Sequence, residues 1–337
     1  MLKKFKNRIK ELTRQLVYEG VERFFKKNLS NAPGSLDVAI KKHLYFQSLF
    51  IYLSNRLEQP EEILLLFNVL SLRIYQTPLP GMEDFTAFAD RVETYRHVGS
   101  APQPESHIRW TSFFDFMDFE ELKIPLRTHT YTSSAKIFYS GQYKHPSVHI
   151  EAGDIVLDAG VLFGDTSLWF AYQTGNKGHV HSFEFVPEFI ARMKDNFSLN
   201  PEYSHNISIH QYALWDETGK NLNFQEDGGR SHVGSSSLPD ESDAVYANTI
   251  TIDDFIEQQS IQMINFIKMD IEGSEVRALK GAEKTIKRFK PKLAICLYHK
   301  DYDFVEIPKL IDSFGLGYKF YLGHHTDNPS ETVLYAN

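Results

Sequence analysis

One cysteine in 337 residues, Cys296, excludes an intramolecular disulfide framework and gives no sign of an oxidising compartment. No apolar run approaches the length that crosses a bilayer. The opening residues, MLKKFKNRIK, are too charged for the core of a secretory leader, so a cytoplasmic protein is expected. No internal repeat is visible. Basic charge is scarce beyond the first helix: nine Lys/Arg against three Glu put +6 on residues 1–27, which leaves −14 for the rest of a chain of net charge −8. An acidic body of that kind does not suit general nucleic-acid binding, which needs Lys and Arg to displace counterions.

The chain is long enough for more than one core, and its 42% hydrophobic content is that of an ordinary globular protein. Residues 1–27 place Leu2, Phe5, Ile9, Leu12, Leu16, Val21 and Phe24 at mostly three- and four-residue steps, an amphipathic helix with a basic face. Packing on the helices that follow is the expected role of its apolar side; contact of the basic face with anionic lipid is the less favoured reading. Helical patterns continue over 36–57 and 60–75, where Pro60, Glu61 and Glu62 form a helix start, and a shorter one runs over 83–95. Ser100-Ala101-Pro102-Gln103-Pro104 reads as a linker. The expected organisation is a helical region at 1–100, a linker and aromatic-rich lead-in at 101–150, and a core domain at 151–337. In the lead-in, Tyr139, Tyr143 and His145 stand where they would cover a pocket, but core packing is the expectation.

From 151 the pattern alternates. Strands are predicted at 155–157, 179–184, 207–211, 263–269, 293–298, 318–322 and 332–335, and helices at 165–174, 187–199, 253–259, 274–289 and 304–314. Alternating strands and helices imply a parallel sheet wrapped on both faces, a Rossmann-like α/β fold. The last two strands are joined without a helix and should pair antiparallel. A polar, serine-rich stretch at 228–242 reads as a lid over a ligand or as a long loop.

Ligands of such sheets bind at the carboxyl ends of the strands, here Asp158, Glu184, Tyr212-Ala213, Asp270 and His299. The first of these belongs to Ile155–Gly164, IVLDAGVLFG, a buried strand followed by a glycine-bracketed turn and a helix start at Asp165-Thr166. Glu184, twenty residues beyond Gly164, suits both hydroxyls of an adenosine ribose. Asp158 would repel a pyrophosphate but suits an ammonium and a sulfonium. Val161, Leu162 and Phe163 are too bulky for a dinucleotide turn. S-adenosylmethionine is therefore the expected ligand, its methionine amino group held by Asp158 directly or through water. The alternatives are a nicotinamide-dependent oxidoreductase on a related sheet and a non-catalytic, donor-binding scaffold.

These residues also carry a family resemblance. DAG-x-x-x-GDTS at 158–167, Glu184 followed by Pro187, Thr251 to Phe255, IKMDIEGSE at 267–275 and ETVLYA at 331–336 resemble the FkbM-type methyltransferases over roughly residues 140–337. The resemblance implies a class I methyltransferase fold, S-adenosylmethionine as donor, and a hydroxyl of a sugar, glycan or natural-product small molecule as acceptor. Asp158, Gly160, Gly164, Asp165, Thr166, Glu184 and Ala213 are then the donor-site candidates. His299 is the expected general base, with Asp270 positioning the acceptor hydroxyl or taking its proton. Lys300, His324 and Glu331 are acceptor-binding candidates, with His325 beside His324 blurring which histidine counts. For Glu275, favourable placement in a first helical turn is explanation enough. Asp270, Glu272 and His299 lack compact ligand spacing, so no metal is expected.

Overall fold

The computed structural model describes residues 36–75, 112–117, 123–128, 137–138, 140–227, 230–233, 245–326 and 328–337, with single positions 12, 15, 19 and 23 in helical conformation. The expected helix at 83–95, the linker at 100–104, Tyr139, and most of 1–27 and 228–242 lie outside the described residues.

A pair of helices comes first, α1 (Leu36–Arg56) and α2 (Pro60–Tyr75), with Pro60 at the start of α2 and Glu61 and Glu62 in its first turn. A hairpin follows, β1 (Ser112–Met117) and β2 (Lys123–Thr128). The core domain then runs β3 (Ile155–Ala159), α3 (Asp165–Thr174), β4 (His179–Phe183), α4 (Pro187–Leu199), β5 (Ile207–His210), β6 (Ala213–Leu214), β7 (Asn221–Asp227), β8 (Arg230–Val233) and β9 (Val245–Ile250). It closes with α5 (Ile252–Gln258), β10 (Phe266–Met269), α6 (Glu275–Lys280), α7 (Glu283–Phe289), β11 (Lys292–Cys296), α8 (Asp303–Ser313), β12 (Phe320–His324) and β13 (Thr332–Ala336).

Seven strands form one sheet in the order β12-β13-β11-β10-β3-β4-β5. β11, β10, β3, β4 and β5 are parallel, and β13 lies antiparallel to both β11 and β12, as the connection without a helix requires. The strand order reverses between β3 and β10, which opens the crevice where α/β sheets bind ligands. Alternate residues feed two cores. Leu157, Ile267, Met269, Leu293 and Ile295 face one, and Val156, Val180, Phe266, Ala294 and Cys296 face the other. Phe46, Phe50, Leu53, Leu57, Ile63 and Leu66 of the helical pair are continuous with the first core. Arg56 and Arg73 pair with Asp312 and Asp301, and Tyr52 donates to Asp312 at 2.5 Å. The described part of the N-terminal region is thus packed onto the sheet and α8. No helix among the described residues is long and apolar enough to cross a membrane.

Three expectations change. The helix over 274–289 is two helices, because Asp253 of α5 reaches across to the second start. Its carboxylate accepts the N–H groups of Lys284 and Thr285, while its own N–H donates to the Gly281 carbonyl at the break. The polar stretch is not all loop, since β8 lies within it and pairs antiparallel with β7, which also pairs with β9, in a second, four-stranded sheet. Asp158 lies inside β3 rather than beyond its end, and the register places it opposite Lys268.

Candidate active site

Gly160 and Gly164 set the turn after β3. Gly160 has φ 76°, and an added Cβ would stand 1.8 Å from the Asp270 carbonyl oxygen, so the loops after β3 and β10 touch here through backbone alone. At Gly164, φ 81°, a Cβ would meet Met193 and Phe197 of α4 at 2.7 Å. Between them Leu162 takes φ 47°, a strained conformation for a side-chain-bearing residue.

Beneath this turn lies a charged pair that the sequence reading did not foresee. Lys268 is 1% exposed and its Nζ stands 3.2 Å from Asp158 Oδ1, itself wholly buried. The ammonium also donates to the carbonyls of Ala159 (3.1 Å) and Gly160. The hydroxyls of Thr166 and Ser167 donate to Asp158 Oδ2, each at 2.7 Å. Burial disfavours the charge on Lys268, but Asp158 and Asp270 outweigh it and raise its pKa. Asp158 and Thr166 therefore organise the turn from below. The expectation is that Asp158 meets the ligand's ammonium; here it has no accessible surface, its Oδ2 is taken by Thr166 and Ser167 and its Oδ1 faces Lys268. Asp165 is likewise buried, its Oδ1 accepting the Thr166 N–H at 2.9 Å.

Glu184 follows β4, as expected, and is 7% exposed. Its Oε1 accepts the N–H groups of Phe185 (2.8 Å) and Val186 (3.0 Å), and Oε2 accepts that of Leu162 (3.2 Å). Burial pushes its pKa up to about 7 against the pull of those three donors. Beside it, Ala213 packs in an apolar cluster with Phe163, Val186, Phe189 and Ala247, edged by Leu162 and Phe185.

Across the crevice, Asp270 is the hub. Oδ1 accepts the Tyr298 hydroxyl and Oδ2 the Tyr143 hydroxyl, both at 2.8 Å. His299 Nε2 lies 3.2 Å from Asp270 Oδ1 and 3.5 Å from Glu272 Oε2, and its Nδ1 is 2.9 Å from Glu275 Oε1. Burial works against an imidazolium, but Glu275 and Asp270 prevail and raise the His299 pKa well above its ordinary value. For Asp270 burial acts upward, and the His299 and Lys268 charges with the Tyr298 hydroxyl hold the carboxylate below its usual range.

The arrangement bears on both catalytic expectations. Glu275 and Asp270 favour the protonated form of His299, which makes it a poor acceptor for a hydroxyl's proton. Asp270 is a weak proton acceptor whose two oxygens serve protein hydroxyls. In a histidine NMR titration, His299 should titrate on the alkaline side of a free imidazole. Glu275→Gln should move it back towards neutrality. An unshifted His299 in the unaltered protein would contradict the clamp.

Glu275 does more than favour a helix start. It is wholly buried, and Oε1 also accepts the Ile271 N–H at 2.9 Å. Lys300 donates from Nζ to the Gly273 carbonyl, tying the same loop down. Glu331, at φ 58°, accepts from the Gln142 side chain, one residue before Tyr143. His324 Nδ1 is 2.9 Å from the Thr332 hydroxyl, whereas His325 packs inward between Ser140 and Tyr335. Lys300 and Glu331 thus stand with the Asp270–His299 cluster, and His324 marks the far end of the same sheet edge. Tyr143 is both buried core, as expected, and part of the site.

Residues 157–320 match the family described as Methyltransferase FkbM domain. The 31-O-demethyl-FK506 methyltransferase FkbM of Streptomyces tacrolimicus is 26% identical over 179 residues, 44% of this chain and 66% of that protein. Among solved structures, methyltransferase FkbM of Methylobacillus flagellatus KT superposes with a TM-score of 0.54 at 20% identity, over 89% of this chain and 60% of that one. This second likeness is one of fold. In both comparisons the chain spans less than two thirds of the relative's length.

Proposed function

With residues 157–320 matching the methyltransferase FkbM domain, we propose that this protein transfers a methyl group from S-adenosylmethionine to a hydroxyl oxygen of a sugar, glycan or natural-product small molecule. The observation that carries the reading is Glu184, a buried carboxylate at the strand end beside a glycine turn and an apolar cluster. A ribose diol suits the carboxylate, and a purine suits the surface edged by Leu162 and Phe185. Among the described residues of the turn no Lys or Arg is present, and Lys268 beneath it is committed to Asp158. A pyrophosphate would find only repulsion from Glu184, which disfavours the nicotinamide alternative.

Bound there, the donor supplies an electrophilic methyl on a sulfonium. The protein's share is orientation and electrostatics. Gly160 and Gly164 shape the turn; Asp158, Thr166 and Lys268 hold it; Ala213 and its apolar neighbours pack beside the adenosine. His299, whose protonated form Glu275 and Asp270 favour, holds Asp270, Glu272 and Glu275 in place. Glu272 and Glu331, both partly exposed, are the carboxylates at this edge that can hydrogen-bond the acceptor hydroxyl and receive its proton.

Ribose binding needs ionised Glu184. Affinity for S-adenosylhomocysteine should therefore rise as pH passes upward through about 7 and level off above it. Below that point it should weaken by up to about tenfold per pH unit. Calorimetric titration across this range, with Glu184→Gln as control, tests the assignment. A pH-independent affinity, or one untouched by the substitution, would sink it.

A further inference from the structure

A cleft of about 370 Å³ opens beside the His299 cluster, between the loop after β10, helix α6, Trp215 and the start of α8. Glu272 joins the two: it lines the cleft and lies 3.5 Å from His299 Nε2. Arg277, Lys280 and Lys300 bring three cations to this one depression in a chain of net charge −8. Two of them are placed by aromatic faces. The Arg277 guanidinium lies 4.9 Å from the Trp215 ring centre and donates to Asp216 at 2.8 Å. Lys300 Nζ lies 5.8 Å from the Tyr302 ring centre and is anchored on Gly273.

The cleft wall carries three cations, Arg277, Lys280 and Lys300, against two carboxylates, Glu272 and Glu306; Asp216, the partner of Arg277, is not part of that wall. Aromatic rings beside guanidinium and ammonium donors suit a ring-shaped, hydroxylated molecule that also carries an anion.

We infer that this cleft receives the methyl acceptor, and that the acceptor is a hydroxylated ring bearing a carboxylate or a phosphate. Its anion sits on Lys280 and Arg277, its ring lies against Trp215 and Tyr302, and a hydroxyl reaches Glu272. The inference rests on the methyltransferase reading, yet binding to the cleft needs no donor and can be measured separately.

The test is calorimetric titration of the full chain with glucuronate, glucose 1-phosphate and neutral methyl glucoside. Both anions should bind at least about tenfold more tightly than methyl glucoside, the tighter of the two identifying the anion. Lys280→Gln and Arg277→Gln should each remove about tenfold, the value of one charge-assisted hydrogen bond. Thermal melts verify that the variants fold, and S-adenosylhomocysteine affinity should be unchanged in both. Equal binding of the neutral sugar, or variants that keep the anion preference, would overturn the inference. Anion binding by a protein that fails to bind S-adenosylhomocysteine would keep the anion site and discard the methyltransferase reading.

Discussion

Gly160→Ala is expected to abolish detectable S-adenosylhomocysteine binding and to lower stability by about 3 kcal/mol or more. Two costs act together. The residue holds φ 76°, which a side chain adopts only with strain, and its Cβ would sit 1.8 Å from the Asp270 carbonyl oxygen. Neither partner can give way cheaply. Asp270 is pinned by two tyrosine hydroxyls and His299, and Gly160 by its N–H to the Phe183 carbonyl at 3.1 Å and its carbonyl to Lys268. The substitution therefore pushes the donor turn and the acceptor-side hub apart at their closest contact. Denaturant melts and calorimetry read the two effects, and near-normal donor affinity would show that the contact is not needed.

The second large effect belongs to Lys268→Met, which should cost about 3–5 kcal/mol by leaving the wholly buried Asp158 without its counter-charge. Donor affinity should fall with it, since the Ala159 and Gly160 carbonyls lose their donor. Asp158→Asn on the same background should restore part of the stability, because the residual charge is then gone. Restoration stays partial because the Ala159 and Gly160 carbonyls still lack the Lys268 ammonium. A double variant no more stable than Lys268→Met, measured by chemical denaturation, would mean that the pair is not the source of the loss.

Much of this site was legible in the chain because its signals are local. The aliphatic run before Asp158, the bracketing glycines and Glu184 twenty residues on define a strand, turn and strand end without tertiary knowledge. The closing antiparallel pair followed from a connection too short for a crossover. What stayed hidden was decided by neighbours distant in sequence. Tyr143 lies 127 residues from Asp270 in an aromatic stretch with no period, so its place suggested pocket cover but nothing tied its hydroxyl to Asp270. The proton affinity of His299 is raised by Glu275 and Asp270, with Glu272 nearby, all from the motif after β10. Each reads alone as a strand-end or helix-start residue, and only their convergence favours the protonated ring. Lys268 did leave a signal. A lysine within the otherwise apolar strand Phe266–Met269 must find an opposite charge if the strand is central, and Asp158 is the acid on the neighbouring strand. The break in the helix over 274–289 was invisible because its cause, Asp253, sits on another helix.

The account rests on a methyl group crossing from the turn after β3 to a hydroxyl held at the ends of β10 and β11. Incubating the protein with S-adenosylmethionine carrying a labelled methyl group, and with pooled hydroxylated acceptors fractionated by charge, tests this directly by mass spectrometry. The expected result is one labelled methyl on an oxygen of an anionic acceptor, lost in Glu184→Gln and Gly160→Ala. Absence of labelled product in every fraction, from a protein that binds the donor and is correctly folded, would contradict it.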